Sequence, residues 1–372
     1  MTEEDTTTSP RNRFARSILR EKIPVSRWVT NRILGLGAIN FYLFALLTIT
    51  GTLLMVYYVP STTQAYNDIK DLGTTVSFGS IVRNMHRWSA FLMIISGFLH
   101  MSRVFFTAEY REPREFNWLV GLFLFLMILG MAYTGYTLPW DQKSYWGLTI
   151  MSQILEAIPG IGSKLQYLVL GGTEVGQNTL TRSFVMHVKL LPLLMSMLMA
   201  VHFWRIWKDD HITLTFAGED HTESPNQLEQ PSVTWRYILT RETSKFLLVL
   251  LFVLVFSILF NAPLEEQANP MVTPDPVKAP WFFVGLQEVL SWGAPFWTGI
   301  VAPLLAIVAV AVIPYFDHGR EGIGVWFHPS RRLSNVLFTA AVTIFIGLII
   351  VGEFMRGPGW IFYWPWQHWS VN

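Results

Sequence analysis

The chain contains no cysteine. That absence removes disulfides, cysteine-ligated iron–sulfur clusters and thioether-attached prosthetic groups. Charge is scarce as well. Only 14% of the 372 residues are charged, and the formal net charge is +1. So weak and balanced a charge offers no electrostatic footprint for nucleic acid. Residues 1–32 are polar and basic, with no apolar core of the signal-peptide kind. There is no obvious internal repeat and no low-complexity tract.

Apolar residues are what abound, at 51% of the chain. That excess is unusual for a soluble protein. Seven apolar runs, near 33–59, 81–104, 117–138, 184–207, 246–262, 298–316 and 333–353, are long enough to cross a hydrocarbon core of about 30 Å. The expected fold is an all-α membrane protein of about seven transmembrane helices. Residues 11–32 read as an interfacial amphipathic helix interrupted at Pro24. With the amino terminus cytoplasmic, most lysines and arginines fall on the cytoplasmic side, as orientation rules require. The carboxyl terminus then lies outside.

The runs divide the chain into modules. Residues 33–207 form a four-span bundle, 208–245 a polar cytoplasmic loop, and 246–372 a three-span part. Two long loops face outward. Residues 139–183 carry Pro139-Trp140-Asp141-Gln142 and an amphipathic stretch around 148–169. Residues 263–297 are proline-rich and then aromatic, with a short surface helix expected at 281–292. Loops of this length are often functional. The aromatic tail at 360–369 reads as an interfacial anchor.

Five of the nine histidines, His211, His221, His318, His328 and His368, fall in loops or the tail and read as surface residues. The other four lie inside spans, where an ionisable residue suggests function. His86 and His100 are 14 residues apart, and His187 and His202 are 15 apart. Such spacings separate rings by roughly 21–23 Å along a helix. One metal ion cannot bridge that distance. Two stacked haems can, each taking one ring from each helix. Topology pairs His86 with His187 near the outer side and His100 with His202 deeper. Two axial nitrogens on each iron leave no position for oxygen and suit electron transfer. The bland alternative, four histidines hydrogen-bonded between helices, explains two matched pairs poorly.

Helical rotation makes this sharper. Fourteen residues fall about 40° short of four turns, whereas fifteen overshoot by about 60°. The fourth span therefore needs local rewinding, and Pro192 lies within it. A π-bulge or kink is predicted there. Gly37 and Gly51 in the first span, and Gly121 and Gly135 in the third, are each 14 apart. Missing side chains at two levels suit stacked porphyrins. Arg83 and Arg87 flank His86, and Arg103 follows His100. Arg83 is assigned to the outer haem propionates and Arg103 to the inner ones.

The chain resembles the cytochrome b subunit of the cytochrome bc and bf complexes. The resemblance rests on RNMHRWSA at 83–90, LHMSRVFFTAEYREPRE at 99–115, TGYTLPWDQKSYWG at 134–147, GQNTLTRSFVMHVKLLPLL at 176–194 and AVHFWRIWK at 200–208. The 15-residue spacing, the PWDQ sequence and the seven spans resemble the bf branch, with the last three spans fused rather than separate. The resemblance implies two non-covalent b haems and quinol oxidation at the outer face. It implies one electron passing to a Rieske iron–sulfur protein and on to a cytochrome c. The other crosses the membrane to quinone, with proton translocation. It also implies a homodimeric complex in a bacterial cytoplasmic (inner) membrane, in contact with lipid.

Two departures stand out. The family's Pro-Glu-Trp-Tyr-like motif is here Ala279-Pro280-Trp281-Phe282. Pro280 and Trp281 keep its place, and Glu288, seven residues beyond Trp281, is expected to replace the missing acid. Leu43 stands where the bf branch has a haem-tethering cysteine. An additional haem at the inner site would be non-covalent. Arg205, Lys208 and Asp209 are the inner-site candidates. Two rival readings are a dihaem anchor for a peripheral dehydrogenase or hydrogenase and a histidine-relay proton transporter. Neither explains the PWDQ loop together with the appended spans.

Overall fold

The computed structural model describes residues 23–24, 35–208, 232–233, 235–319 and 321–367. Among them, seven helices are long and apolar enough to cross a membrane: Leu36–Met55, Gly79–Phe106, Glu115–Tyr136, Gln177–Ile206, Arg236–Leu259, Phe296–Phe316 and Pro329–Met355. They are called the first to seventh spans. The face toward which the first span runs is called outer. Most residues of each span are not fully buried within the chain, which leaves apolar surface for lipid. The strand pairing seen among the described residues is a two-residue one, Ile23 with Val233 and Pro24 with Ser232.

The core lies where the first, second and third spans meet. Leu43, Leu46, Met93, Ile94 and Ile128 are buried there with Met195, Val253 and Phe282. Leu43 is therefore a packing residue, 1% exposed. The fourth span packs against the third, and the fifth against the first and second.

The fifth span begins at Arg236, ten residues earlier than the apolar run suggests, so the expected loop 208–245 is shorter. Glu242 explains the difference. It accepts hydrogen bonds from the Tyr42 hydroxyl at 2.6 Å and Lys245 at 2.8 Å. Charges that are paired locally do not have to leave the helix. The stretch 148–169 resolves into two surface helices, Gln142–Glu156 and Gly162–Leu170. The expected surface helix at 281–292 is Trp281–Leu290. The proposed amphipathic helix 11–32 (apart from Ile23–Pro24), Asp209, His211, His221 and His368 lie outside the described residues.

The two modules are clamped at both faces. On the outer face, Gln142 N–H donates to Glu266 O at 2.9 Å and Ala268 N–H to Trp140 O at 3.1 Å. Glu265 N–H donates to Asp141 at 3.3 Å. The PWDQ sequence thus holds the loop that leads to the surface helix. Asn84 reinforces it by donating to Ser257 O at 2.9 Å and accepting from Ala262 N–H at 2.9 Å. On the inner face, Asp317 accepts from Tyr110, Arg111 and Arg331. Arg331 is 2% exposed and also donates to Phe105 O at 2.8 Å. A charge buried this deeply requires pairing.

Candidate functional site

The structure brings the four intramembrane histidines together as two pairs. The His86 and His187 ring centres are 6.1 Å apart with planes at 75°, and those of His100 and His202 are 6.5 Å apart at 84°. Metal–imidazole bonds of about 2.0 Å place two rings on opposite sides of one ion with centres roughly 6 Å apart. The observed separations fit a bis-histidine iron at each level.

The fourth span reaches this register by a local π turn. Residues Met186–Leu190 are π-helical, between the helices Gln177–Val185 and Leu191–Lys208. A π turn takes up one extra residue. The 15 residues from His187 to His202 therefore rotate like 14, and both rings face the second span's pair. Pro192 follows two residues after the turn and has no N–H to continue the ladder.

Hydrogen bonds select the nitrogen left for a metal. His187 Nδ1 lies 3.0 Å from Met131 O and 3.2 Å from Thr134 Oγ1. A carbonyl only accepts, so Nδ1 carries the proton and Nε2 keeps its lone pair. His86 Nδ1 lies 2.9 Å from Thr50 Oγ1. That hydroxyl spends its proton on Leu46 O at 2.8 Å and accepts from the ring. The histidine spacing does not point to Thr50 or Thr134. Their signal is a Thr-Gly dipeptide repeated at 50–51 and 134–135.

The four glycines sit at the two expected levels, but what fills the missing side-chain space is imidazole. A Cβ on Gly51 would lie 3.1 Å from His86, on Gly135 2.5 Å from His187, on Gly37 3.3 Å from His100 and on Gly121 3.5 Å from His202. Each glycine makes room for one ring.

The arginines depart from expectation. Arg83 gives both terminal nitrogens to the carbonyls of Ala262 and Pro263, at 2.8 and 2.7 Å, which makes it an anchor for the outer loop. Arg103 is paired with Glu109 at 2.6 Å. Arg87, by contrast, has a buried Nε with no hydrogen-bond partner and lies 5.2 Å from the Phe91 ring centre. Arg87 lies one residue from His86.

Above the outer pair lies the surface helix, with Pro280 as its N-cap. Trp281 meets Phe91 edge-on at 5.8 Å, and Phe283 meets Tyr133 at 6.1 Å. Glu288 is 2% exposed, and its position corrects the expectation of a free base. Its oxygens accept from Arg356 Nε at 2.9 Å and Nη2 at 2.6 Å. Trp292 and Trp360 donate to it at 3.2 Å each. Burial opposes its ionisation, but these donors outweigh burial and hold the carboxyl below the ordinary range. Glu288 pins the chain end over the helix. On the inner side, Arg205 donates to Pro113 O at 3.2 Å, and Lys208 lies 5.2 Å from the Trp204 ring centre.

Comparison with known proteins points to one family. Residues 21–209 match the family "Cytochrome b/b6/petB", and residues 267–366 match "Cytochrome b(C-terminal)/b6/petD". Over 173 residues the chain is 42% identical to "Cytochrome b6" of Acaryochloris marina, covering 46% of this chain and 80% of that protein. It is 43% identical over 173 residues to the "Menaquinol:cytochrome c reductase cytochrome b subunit" of Bacillus subtilis, covering 46% of this chain and 77% of that one. Its fold is similar to a chain of "Hyperthermophilic respiratory Complex III", with a TM-score of 0.76 and 25% identity over 92% of this chain and 88% of that one. The paired histidines on apolar spans and the match to both halves of one family lead to the same conclusion: the chain is a multi-pass membrane protein that belongs to the cytochrome b family.

Proposed function

We propose that this chain is the dihaem electron-transfer subunit of a quinol:cytochrome c oxidoreductase and works by a Q cycle. The observation that carries the reading is the two facing histidine pairs, one near each face. His86 and His187 hold one b haem by Nε2, and His100 and His202 hold a second. Bound there, two haems supply single-electron transfer across the membrane between an outer quinol site and an inner quinone site. The protein orients the outer pair, His86 and His187, through Thr50, Thr134 and Met131, as ligand histidines require. Arg87, with an unpartnered buried Nε, would offer a charge-assisted donor to a haem propionate. Pro280 and Trp281 shape the outer quinol pocket, and Glu288 fixes the chain end across it.

A Rieske iron–sulfur protein and a cytochrome c-type carrier are the acceptors. The complex is a homodimer in a bacterial cytoplasmic membrane, with the amino terminus cytoplasmic. Arg205 and Lys208 lie toward the inner quinone. The test is a haem count and a redox-titrated difference spectrum on the purified complex. Two b haems per chain that titrate separately are expected. A third would be the additional inner-site haem, and none would end the proposal.

A further inference from the structure

Quinol oxidation releases protons, and the outer site therefore needs a base. Glu288 is poorly suited, because its buried carboxylate is already engaged by Arg356 and by the indoles of Trp292 and Trp360. Three acidic residues, Asp141, Glu265 and Glu353, lie near Tyr136, which directly follows the Gly135 that faces His187. Two of these are committed. Asp141 accepts from Ser144 N–H at 2.9 Å and Ser144 Oγ at 2.6 Å, and also from Glu265 N–H. Glu265 is ion-paired with Lys143. Glu353 differs. It is partly buried in the π turn Val351–Met355 at the outer end of the seventh span. Among the described residues its carboxylate accepts no hydrogen bond. That turn is fixed against the surface helix. A Cβ on Gly352 would meet Val284 at 3.0 Å, and Lys278, three residues before Trp281, donates to the Glu353 backbone carbonyl at 2.5 Å.

We propose that Glu353 is the catalytic base that takes a quinol proton at the outer site. This rests on the function proposed above and deepens it. The quinol O–H bond breaks, and its proton joins a Glu353 carboxylate oxygen. The electrons leave to the complex's one-electron acceptors, and the proton is then lost to the outer aqueous phase. The titratable and charged groups around it are Lys278 from the loop, Tyr136 from the third span and, three residues on, Arg356 with its partner Glu288. A partly buried carboxylate that accepts no hydrogen bond from the described residues is well placed to take a proton and pass it on.

The test compares the wild-type complex with Glu353→Gln, Glu353→Asp and Glu288→Gln. Quinol oxidation is followed across pH, and the haem spectrum serves as a check of assembly. Infrared difference spectra record carboxyl protonation. Glu353→Gln is expected to slow oxidation by about 10²-fold or more, to remove the acid limb of the pH profile and to erase one carboxyl band. Glu353→Asp should restore part of the rate with a shifted limb. It also carries the test if the Gln variant does not assemble. A Glu353→Gln complex with an unchanged pH profile and carboxyl bands overturns the proposal, as does a Glu353→Asp complex whose limb has not moved. A wild-type complex that oxidises no quinol overturns the function reading itself.

Discussion

A methyl group placed on each of the four helix glycines gives a graded test of the paired-histidine site. Carbon atoms in contact sit about 3.5–4.0 Å apart. At Gly135 an added Cβ would come to 2.5 Å from His187 Cε1, with both ring nitrogens at 3.1 Å. The imidazole must then move by about 1 Å, away from the position that faces His86. At Gly51 the approach is 3.1 Å and at Gly37 3.3 Å, whereas at Gly121 it is 3.5 Å, an ordinary contact. Overpacking a fitted site costs about 1–3 kcal/mol, and a displaced ligand loses its metal bond as well. The expected order of damage is Gly135→Ala, then Gly51→Ala, then Gly37→Ala, with Gly121→Ala close to wild type. The first two should lower only the outer haem's occupancy, and Gly37→Ala only the inner one's. Haem per chain, redox titration of each haem and electron paramagnetic resonance of the ferric forms resolve the two. Loss of haem from Gly121→Ala with retention in Gly135→Ala would refute the packing argument.

The other predictions concern hydrogen bonds and clamps. Thr50→Val leaves the buried His86 Nδ1 without its 2.9 Å partner and should cost about 1–3 kcal/mol and shift the outer haem's potential. Thr134→Val should do less, because His187 keeps Met131 O at 3.0 Å. Asp317→Asn strands Arg331, whose side chain is 0% exposed, and should cost about 3–5 kcal/mol, seen as a lower melting temperature. Asp317 also predicts a pH dependence. Burial opposes its ionisation, but Arg111, Tyr110 and Arg331 hold it below the ordinary carboxylate range. Its stabilisation is complete above the unfolded value and is lost as pH falls through the lower folded value, so acid melting of wild type should show a loss that the Asn variant lacks. Glu288→Gln should loosen residues 356–362, read as faster hydrogen exchange there.

Much of this molecule can be read from its residues, and the failures share one physical origin. Spans are legible because lipid demands apolar runs of fixed length. His86 and His187 are legible as partners because chain direction alternates from one span to the next. Side-chain commitment is not legible in the same way. Arg83 lies one turn from His86 and looks like a haem neighbour, but Ala262 and Pro263, far away in sequence, claim its guanidinium. Glu288 has the right residue type on the right helix, but Arg356 and Trp360 from the end of the chain occupy it, together with the nearby Trp292. Only tertiary contact decides which of several equally plausible charges stays free.

The fourth span shows the opposite case, where a local irregularity can be deduced in advance. Its 15-residue spacing conflicts with the 14-residue spacing of its partner, and two rings cannot face two rings unless one residue is absorbed. The π turn at Met186–Leu190 absorbs it at His187 itself, where Pro192 has already weakened the ladder. Deleting one residue from that turn should therefore restore a plain helix while keeping His202 aligned with His100. A deletion placed between Ser196 and His202 lacks a π turn to absorb it and should turn the His202 ring about 100° away. Haem counts on the two deletions separate these outcomes. An inner haem retained equally in both would mean that register in this span is not set by the π turn.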